Sequence, residues 1–370
     1  MKSTVCIAED RASCEPAVKL LILSLNAHSP GTKVSLFFPP ATPDFISWIA
    51  AFPSVKLEHG CATQGCGWNV KPKVIQYLLD SGFEEVIWID SDILVTRNIW
   101  RVFADLDPGT LVITEHTLAE ERDDRNGRRA RMWGFPVGRT FPTAFSSGVV
   151  RATRCHARLI ERWWELLQCD SYLSAQNLGW YERPVHLLGD QDVLTALLTS
   201  SEFSNIPFRV LRRGFEIIQF DGVWGYSVPE RIVNLLGWGP TFIHAGAAKP
   251  WLVNWRSNGV RDYIKMLYLD ICPYTVAALR YRPRLQSDTS WMRPHFMAAK
   301  IQRRLGCDYP PLVGIVMAFF AHVARLLRVL RRKPGRRAVD LNVSVLKGLS
   351  HQETASPEAS CIHEENQYPG

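Results

Sequence analysis

The sequence predicts an α/β fold in which a mainly parallel central sheet carries helices on both faces. Strand-like and helix-like segments alternate through the first hundred residues, the order that builds parallel sheets. Val86, Ile87, Trp88 and Ile89 form a short unbroken apolar run, as suits a central strand covered on both sides. With 370 residues, 46% hydrophobic and 21% charged, the chain can bury a full core. Its length suits one main domain of about 250 to 270 residues with an appendage.

The first strand is Thr4 to Ala8. Acidic Glu9, Asp10 and Glu15 come before the apolar helix Pro16 to Ala27, and acid ahead of the apolar run argues against a secretory leader. Lys33 to Phe38 reads as a strand, Pro43 to Phe52 as a helix, and Val55 to Glu58 as a strand. Val70 to Ser81 is a helix stopped by Gly82. Glu85 to Ile89 is the strand that ends at Asp90-Ser91-Asp92, after which Ile93, Leu94 and Val95 resume the apolar run. A helix over Asn98 to Asp105 and a strand over Leu111 to Thr114 follow. Residues 120–139 break every periodicity and read as a long loop, whose arginines are either solvated or meet a phosphate or an acceptor. Ser146 to Ala152 is a strand. Cys155 to Leu167 is an amphipathic helix with Leu159, Ile160, Trp163 and Leu167 on one face, so Trp163 and Trp164 read as core and rim. An apolar helix begins just after Asp190, and TFIHAG, residues 241–246, is a further apolar segment.

The formal charge of +7 is uneven, being concentrated in Arg122 to Arg139 and Arg325 to Arg337. No reading helix or repeated aromatic-basic pattern accompanies it, which argues against a nucleic-acid binder. Nine cysteines without paired C-x-x-C spacing suit reduced thiols and a cytoplasmic setting. Cys61 and Cys66 have no second ligand pair nearby, so a structural zinc is not expected.

Chemistry gathers in four stretches: IDSD at 89–92, SSG at 146–148, GDQD at 189–192 and IHAGAAKPW at 243–251. An ionised carboxylate where a strand leaves the core must be hydrated, paired or bound to a cation. Asp90 and Asp92 at the carboxyl end of a strand stand where ligands bind in parallel sheets. Oxygen ligands suit a hard divalent ion, and the imidazole of His244 shifts the preference from Mg2+ toward Mn2+. The alternatives are a core histidine at 244 and a plain helix cap at Asp190.

The D-x-D stretch followed by H-x-G-x-x-K-P-W resembles the metal-dependent, retaining GT-A glycosyltransferases of family 8, the group of glycogenin and bacterial lipopolysaccharide galactosyltransferases. The likeness spans roughly residues 3–255. His244 stands one residue closer to the glycine than the family spacing H-x-x-G-x-x-K-P-W. The resemblance implies a Rossmann-like domain binding a nucleotide sugar, usually UDP-linked. By the same resemblance Asp90, Asp92 and His244 hold Mn2+ (or Mg2+), and Gly246 and Lys249 contact the phosphates. Ala8 and Asp10 of IAED correspond to the turn around the uracil, with a plain helix-start acid as the alternative for Asp10. Either Lys71 or Lys73 supplies the basic residue near the donor. Ser147 and Gly148 occupy the turn at the donor sugar, where the family has Asn ahead of Ser146-Ser147-Gly148's counterpart glycine. Asp190 and Gln191 match the D-Q-D turn, in which an acid binds sugar hydroxyls and the glutamine lies beneath the anomeric carbon. An inverting enzyme would instead use Asp190 or Asp192 as a base.

The expected organisation is a glycosyltransferase domain over 1–255, a basic and partly amphipathic helical extension over 256–337 and a disordered tail over 338–370. The apolar stretch Leu312 to Ala321 falls short of the ~20 residues that span a bilayer. Arg325, Arg328, Arg331 and Arg332 continue it as a pattern suited to an anionic membrane surface, the inner face of the membrane for a cytoplasmic protein, or to packing on the domain or a partner. The expected activity is transfer of a sugar to a glycan, lipid-linked or protein acceptor. A nucleotide-sugar hydrolase and a noncatalytic nucleotide- or carbohydrate-binding protein are the alternatives. Oligomeric state is not written in the sequence.

Overall fold

The computed structural model describes residues 2–116, 123–219, 226–237, 239–246, 249–253, 259–305 and 309–331. Its strands are β1 (Ser3–Ala8), β2 (Val34–Phe37), β3 (Val55–Leu57), β4 (Glu85–Ile89), β5 (Ile93–Val95), β6 (Leu111–Glu115), β7 (Phe145–Thr153), β8 (Phe208–Leu211), β9 (Ile217–Gln219) and β10 (Phe242–His244). The helices of the first half are α1 (Glu15–His28), α2 (Pro43–Ile49), α3 (Val70–Asp80), α4 (Trp100–Phe103), α5 (Arg128–Met132), α6 (Ala157–Leu167), α7 (Asp170–Gln176) and α8 (Asp190–Thr199). Those of the second half are α9 (Val228–Leu235), α10 (Val260–Asp270), α11 (Pro273–Ala278), α12 (Met297–Arg304) and α13 (Ile315–Arg331).

Seven strands form the main sheet in the order β3-β2-β1-β4-β7-β6-β8. The expected α/β architecture with a mainly parallel sheet is present: β1 pairs in parallel with β2 and β4, β2 with β3, and β6 with β8. The exception is β7, antiparallel to both β4 and β6. The carboxyl ends of β1, β4 and β6 and the amino end of β7 therefore share one edge, where ligands of such sheets bind. All nine residues of β7 are buried, including Arg151, which is neutralised by Glu85 and donates to the carbonyl of Thr110 at 2.6 Å. A charge in a central strand survives because a carboxylate and carbonyls replace its water.

One apolar core joins Ile7, Leu36 and Ile87 to residues of the C-terminal segment such as Tyr274, Leu285 and Trp291. Lys19 of α1 donates to Ser287 Oγ at 3.1 Å, and Trp48 of α2 donates to the carbonyl of Arg284 at 3.1 Å. The segment after Trp251 thus wraps onto α1 and α2. A second core on the opposite face joins α3, α6 and α8, with Trp163 fully buried and Trp164 partly exposed as the pattern predicts.

The expected loop over 120–139 is corrected in part. Residues 120–122 lie outside the described residues, but α5 follows and Arg129 is completely buried, neither solvated nor free for a phosphate. Its Nε donates to Asp192 Oδ1 at 2.8 Å, and its backbone N–H donates to Asp124 Oδ1 at 3.0 Å. Gly127, at φ +61°, opens the helix where a Cβ would lie 2.9 Å from Thr199 and Val137. Arg139 likewise donates to the carbonyls of Leu198 and Ile206 at 2.7 and 2.8 Å.

No helix among the described residues is long and apolar enough to cross a membrane. Residues 332–370, including the expected tail, lie outside the described residues.

Candidate metal centre

A small second sheet, β5-β10-β9, assembles the site. After β4 ends, Asp90 N–H donates to the carbonyl of Gly148 at 2.9 Å, and Ile93 N–H closes the turn onto the carbonyl of Asp90 at 3.1 Å. The chain then enters β5, whose antiparallel partner is β10 with His244 opposite Ile93. Ala245 N–H reaches back to the carbonyl of Asp92 at 3.0 Å. The backbone ladder thus fixes His244 beside the aspartates. Its Nε2 lies 3.3 Å from Asp92 Oδ1 and 3.9 Å from Asp90 Oδ2.

One ligand atom from each of Asp90, Asp92 and His244 falls within 4.8 Å of the others. Ligand bonds of ~2.1 to 2.3 Å put adjacent donors ~3 Å apart and opposite donors ~4.5 Å apart, so the spacing fits one divalent ion. His244 Nδ1 is buried without a hydrogen-bond partner. Gly148 leaves the neighbouring space open: a Cβ there would lie 3.3 Å from His244 Nδ1 and 3.4 Å from Asp90 Oδ2. The donor set and the space both suit a cation.

Burial opposes the charge on Asp92, but Lys249 and His244 outweigh it and hold its carboxyl well below the usual range. Burial likewise opposes protonation of His244, and Asp92 reverses the balance and raises its pKa. Lys249 Nζ contacts both Asp92 Oδ2 and the carbonyl of Gly246, which is at φ +57°. Ala247 and Ala248 lie outside the described residues.

Lys71 joins this cluster to a second one. Its buried ammonium lies 3.2 Å from Asp90 Oδ1, 3.2 Å from Asp190 Oδ2 and 2.7 Å from Ser147 Oγ. Ser147 Oγ donates to Asp190 Oδ2 at 2.6 Å. Lys73 points elsewhere, donating to the carbonyl of Ala62 at 2.6 Å and lying over the Trp164 ring. Of the two candidate lysines, Lys71 meets the carboxylates. Burial raises the Asp190 carboxyl above the usual range despite Lys71 and Ser147. Asp190 is not a cap: Gly189 holds the N-cap position of α8, with no side-chain cap.

The next two residues of α8 turn to other partners. Gln191 Nε2 lies 3.1 Å from Nε2 of buried His116, at the end of β6, and Asp192 is fully buried against Arg129. Ala8 is buried at the end of β1, and Asp10 Oδ2 accepts from Gly67 N–H at 3.1 Å. Sequence reasoning missed Glu9, His116 and Arg129. Glu9 accepts from Ser91 Oγ at 2.6 Å and pairs with Arg11 at 2.8 Å, linking the turn of the aspartates to β1. For Glu9 and His116 the signal was available, since both follow a buried strand at its carboxyl end.

No family profile and no curated protein matches the chain. Several solved glycosyltransferases resemble it. The galactosyltransferase LgtC in complex with donor and acceptor sugar analogues is 14% identical over 78% of this chain and 96% of its own, at a TM-score of 0.46. GlyE of Streptococcus pneumoniae TIGR4 is 16% identical over 84% of this chain and 66% of its own, at 0.45. A glycosyltransferase involved in glycosylation of the major capsid of PBCV-1 is 13% identical over 67% of this chain and 95% of its own, at 0.39. Likeness at this level leaves function to the residues.

Proposed function

We propose that this chain is a GT-A glycosyltransferase that moves a sugar from a nucleotide sugar, with UDP as the nucleotide, to an acceptor hydroxyl in a metal-dependent, retaining reaction. The observation that carries the reading is the convergence of Asp90, Asp92 and His244 with Lys249 and Lys71 beside them. A divalent ion held there, Mn2+ in preference to Mg2+, would supply positive charge to the diphosphate as it departs.

The chain's own residues have separable tasks. Gly246 and Lys249 take the phosphates, Ala8 and Asp10 the base, and Ser147, Gly148 and Asp190 the sugar. The acceptor oxygen bonds to the anomeric carbon as the bond from that carbon to the diphosphate oxygen breaks. The bonding pair leaves with UDP, and the hydroxyl proton passes to the departing phosphate oxygen. Gln191 steadies the electron-poor carbon, its amide held by His116. Donors and charges fixed before the reaction favour the transition state over the bound ground state. Occupation of the Asp190 carboxylate by Lys71 and Ser147, and of Asp192 by Arg129, supports retention over an inverting route that needs a carboxylate base.

Thermal shift with Mn2+ across UDP-sugars and GDP-sugars, followed by nucleotide release, tests the reading. A metal-dependent rise with a UDP-sugar, and UDP release accelerated by an acceptor, are expected. Release giving only free sugar would assign a hydrolase, and binding without release a noncatalytic protein.

A further inference from the structure

α9, α10, α12 and α13 form a contiguous set on the outside of the fold. Arg231 of α9, fully buried, donates to the carbonyls of Pro311 and Val313 just ahead of α13. Gln302 of α12 accepts from Gly314 N–H at 3.1 Å, α12 packs on α10, and Tyr263 of α10 meets Phe296 edge to face at 4.9 Å. Inward side chains close on a small core of Ile271, Val276, Ala299 and Val313. The outward ones do not. Large exposed apolar residues concentrate on these helices: Leu236 beside α9, Ile264 on α10, Ile301 on α12, and Val316, Phe319 and Phe320 on α13, the last 65% exposed. Val316, Phe319 and Phe320 stand at i, i+3 and i+4, so they share a face.

The charge of the same helices is mainly positive. Their sequences contain three acids, Glu230, Asp262 and Asp270. Glu230 accepts from Ser227 N–H and pairs with Arg213 at 3.1 Å, while Asp270 is buried and accepts from His295 and Phe296. Lys300 and Arg304 are exposed around Ile301, and Arg325, Arg328 and Arg331 lie in the last turns of α13, followed in sequence by Arg332, Lys333, Arg336 and Arg337. Large apolar side chains exposed together on neighbouring helices mark an interaction site.

We infer that this four-helix surface seats on an anionic lipid bilayer, with Phe319, Phe320 and their neighbours entering the headgroup boundary and Lys300 and Arg304 meeting lipid phosphates. Apolar entry combined with cationic contact is what holds helices in a membrane interface. A second copy of the chain fits worse, because a two-fold contact would set this mainly cationic surface against an identical one. The inference is independent of the sugar-transfer reading, since it concerns a surface and not the metal centre.

Flotation of the intact chain with phosphatidylcholine vesicles, with and without phosphatidylglycerol, tests it. The chain is expected to float with the anionic vesicles and to be released at ~1 M salt, where the Debye length falls to ~3 Å. Phe319→Asp with Phe320→Asp should weaken flotation by about tenfold or more, and Lys300→Glu with Arg304→Glu should weaken it while thermal melting stays unchanged. Equal flotation with neutral vesicles would overturn the inference. So would a concentration-dependent dimer, by light scattering, that does not float, or wild-type flotation of both variants.

Discussion

His244 of β10 lies beside Asp92, the residue just ahead of β5, with Nε2 3.3 Å from Oδ1, although 152 residues separate the two in sequence. The contact is imposed by backbone ladder bonds and does not depend on a flexible loop. The first residue after the aspartate turn pairs with the histidine itself, so any shift of β10 by one position would turn the imidazole away.

Gly148 is the residue that keeps this space open. Gly148→Ala places a methyl 3.3 Å from His244 Nδ1 and 3.4 Å from Asp90 Oδ2, tight enough that both must give way. Its φ is not in the left-handed region, so the backbone tolerates alanine. Mn2+ affinity should fall by about tenfold or more, with the melting temperature of the metal-free protein changed little. Unaltered Mn2+ affinity would remove the cradle from the account.

Lys71 and Lys73 should behave as opposites. Lys71→Met leaves Asp90 and Asp190 without their shared counter-charge, and UDP release should fall by about 10²-fold or more. Lys73→Met removes a partner of the Ala62 carbonyl and should keep release within about twofold of the starting protein. Steady-state rates at saturating donor check both.

Asp190→Asn should trade activity for stability. The folded-state pKa of Asp190 is raised, chiefly by burial, so folding favours its protonated form. Its contribution to stability is fully present below the unfolded pKa of ~3.9 and is lost as pH rises through the folded value. The asparagine variant should therefore melt higher than the starting protein at pH 7, match it near pH 3, and release UDP far more slowly. A lower melting temperature at pH 7 would contradict the sign.

Arg129 and Asp192 form a buried pair whose loss depends on how it is broken. Arg129→Met alone removes the counter-charge of both Asp192 and Asp124 in the core and should cost about 3 to 5 kcal/mol in denaturant unfolding. Arg129→Met with Asp192→Leu should recover part of that, since Asp124 keeps the Arg129 backbone N–H and Thr199 Oγ1 as donors. Recovery of stability without recovery of turnover would mark the pair as positioning the start of α8, where Asp190 and Gln191 sit.

Much of the frame was legible from local pattern. The alternation through β4 gave parallel pairing, and the aspartates were placed by the end of a buried strand. Strand direction beyond that point is a long-range property: nothing in Ser146 to Ala152 states that β7 runs against its neighbours. Ile93 to Val95 looked like a continuation of β4, yet it crosses into a second sheet, a choice made by pairing with β10. Two positions apart on α3, Lys71 and Lys73 had to face different ways, but only the packing of the helix decides which way is inward. The partly buried edge strand β8 carries Arg209 in the pattern FRVL and gave a weak signal. Arg129 was misread because a buried arginine is recognisable only through Asp124 and Asp192, its partners in the fold.

The central claim is that Asp90, Asp92 and His244 grip one divalent ion, and Mn2+ titration followed by electron paramagnetic resonance measures it most directly. With UDP present, the intact chain should remove one Mn2+ per molecule from the free-ion signal, and Asp92→Asn and His244→Ala should each abolish that uptake while melting as folded proteins. Unchanged stoichiometry and affinity in both variants would contradict the account.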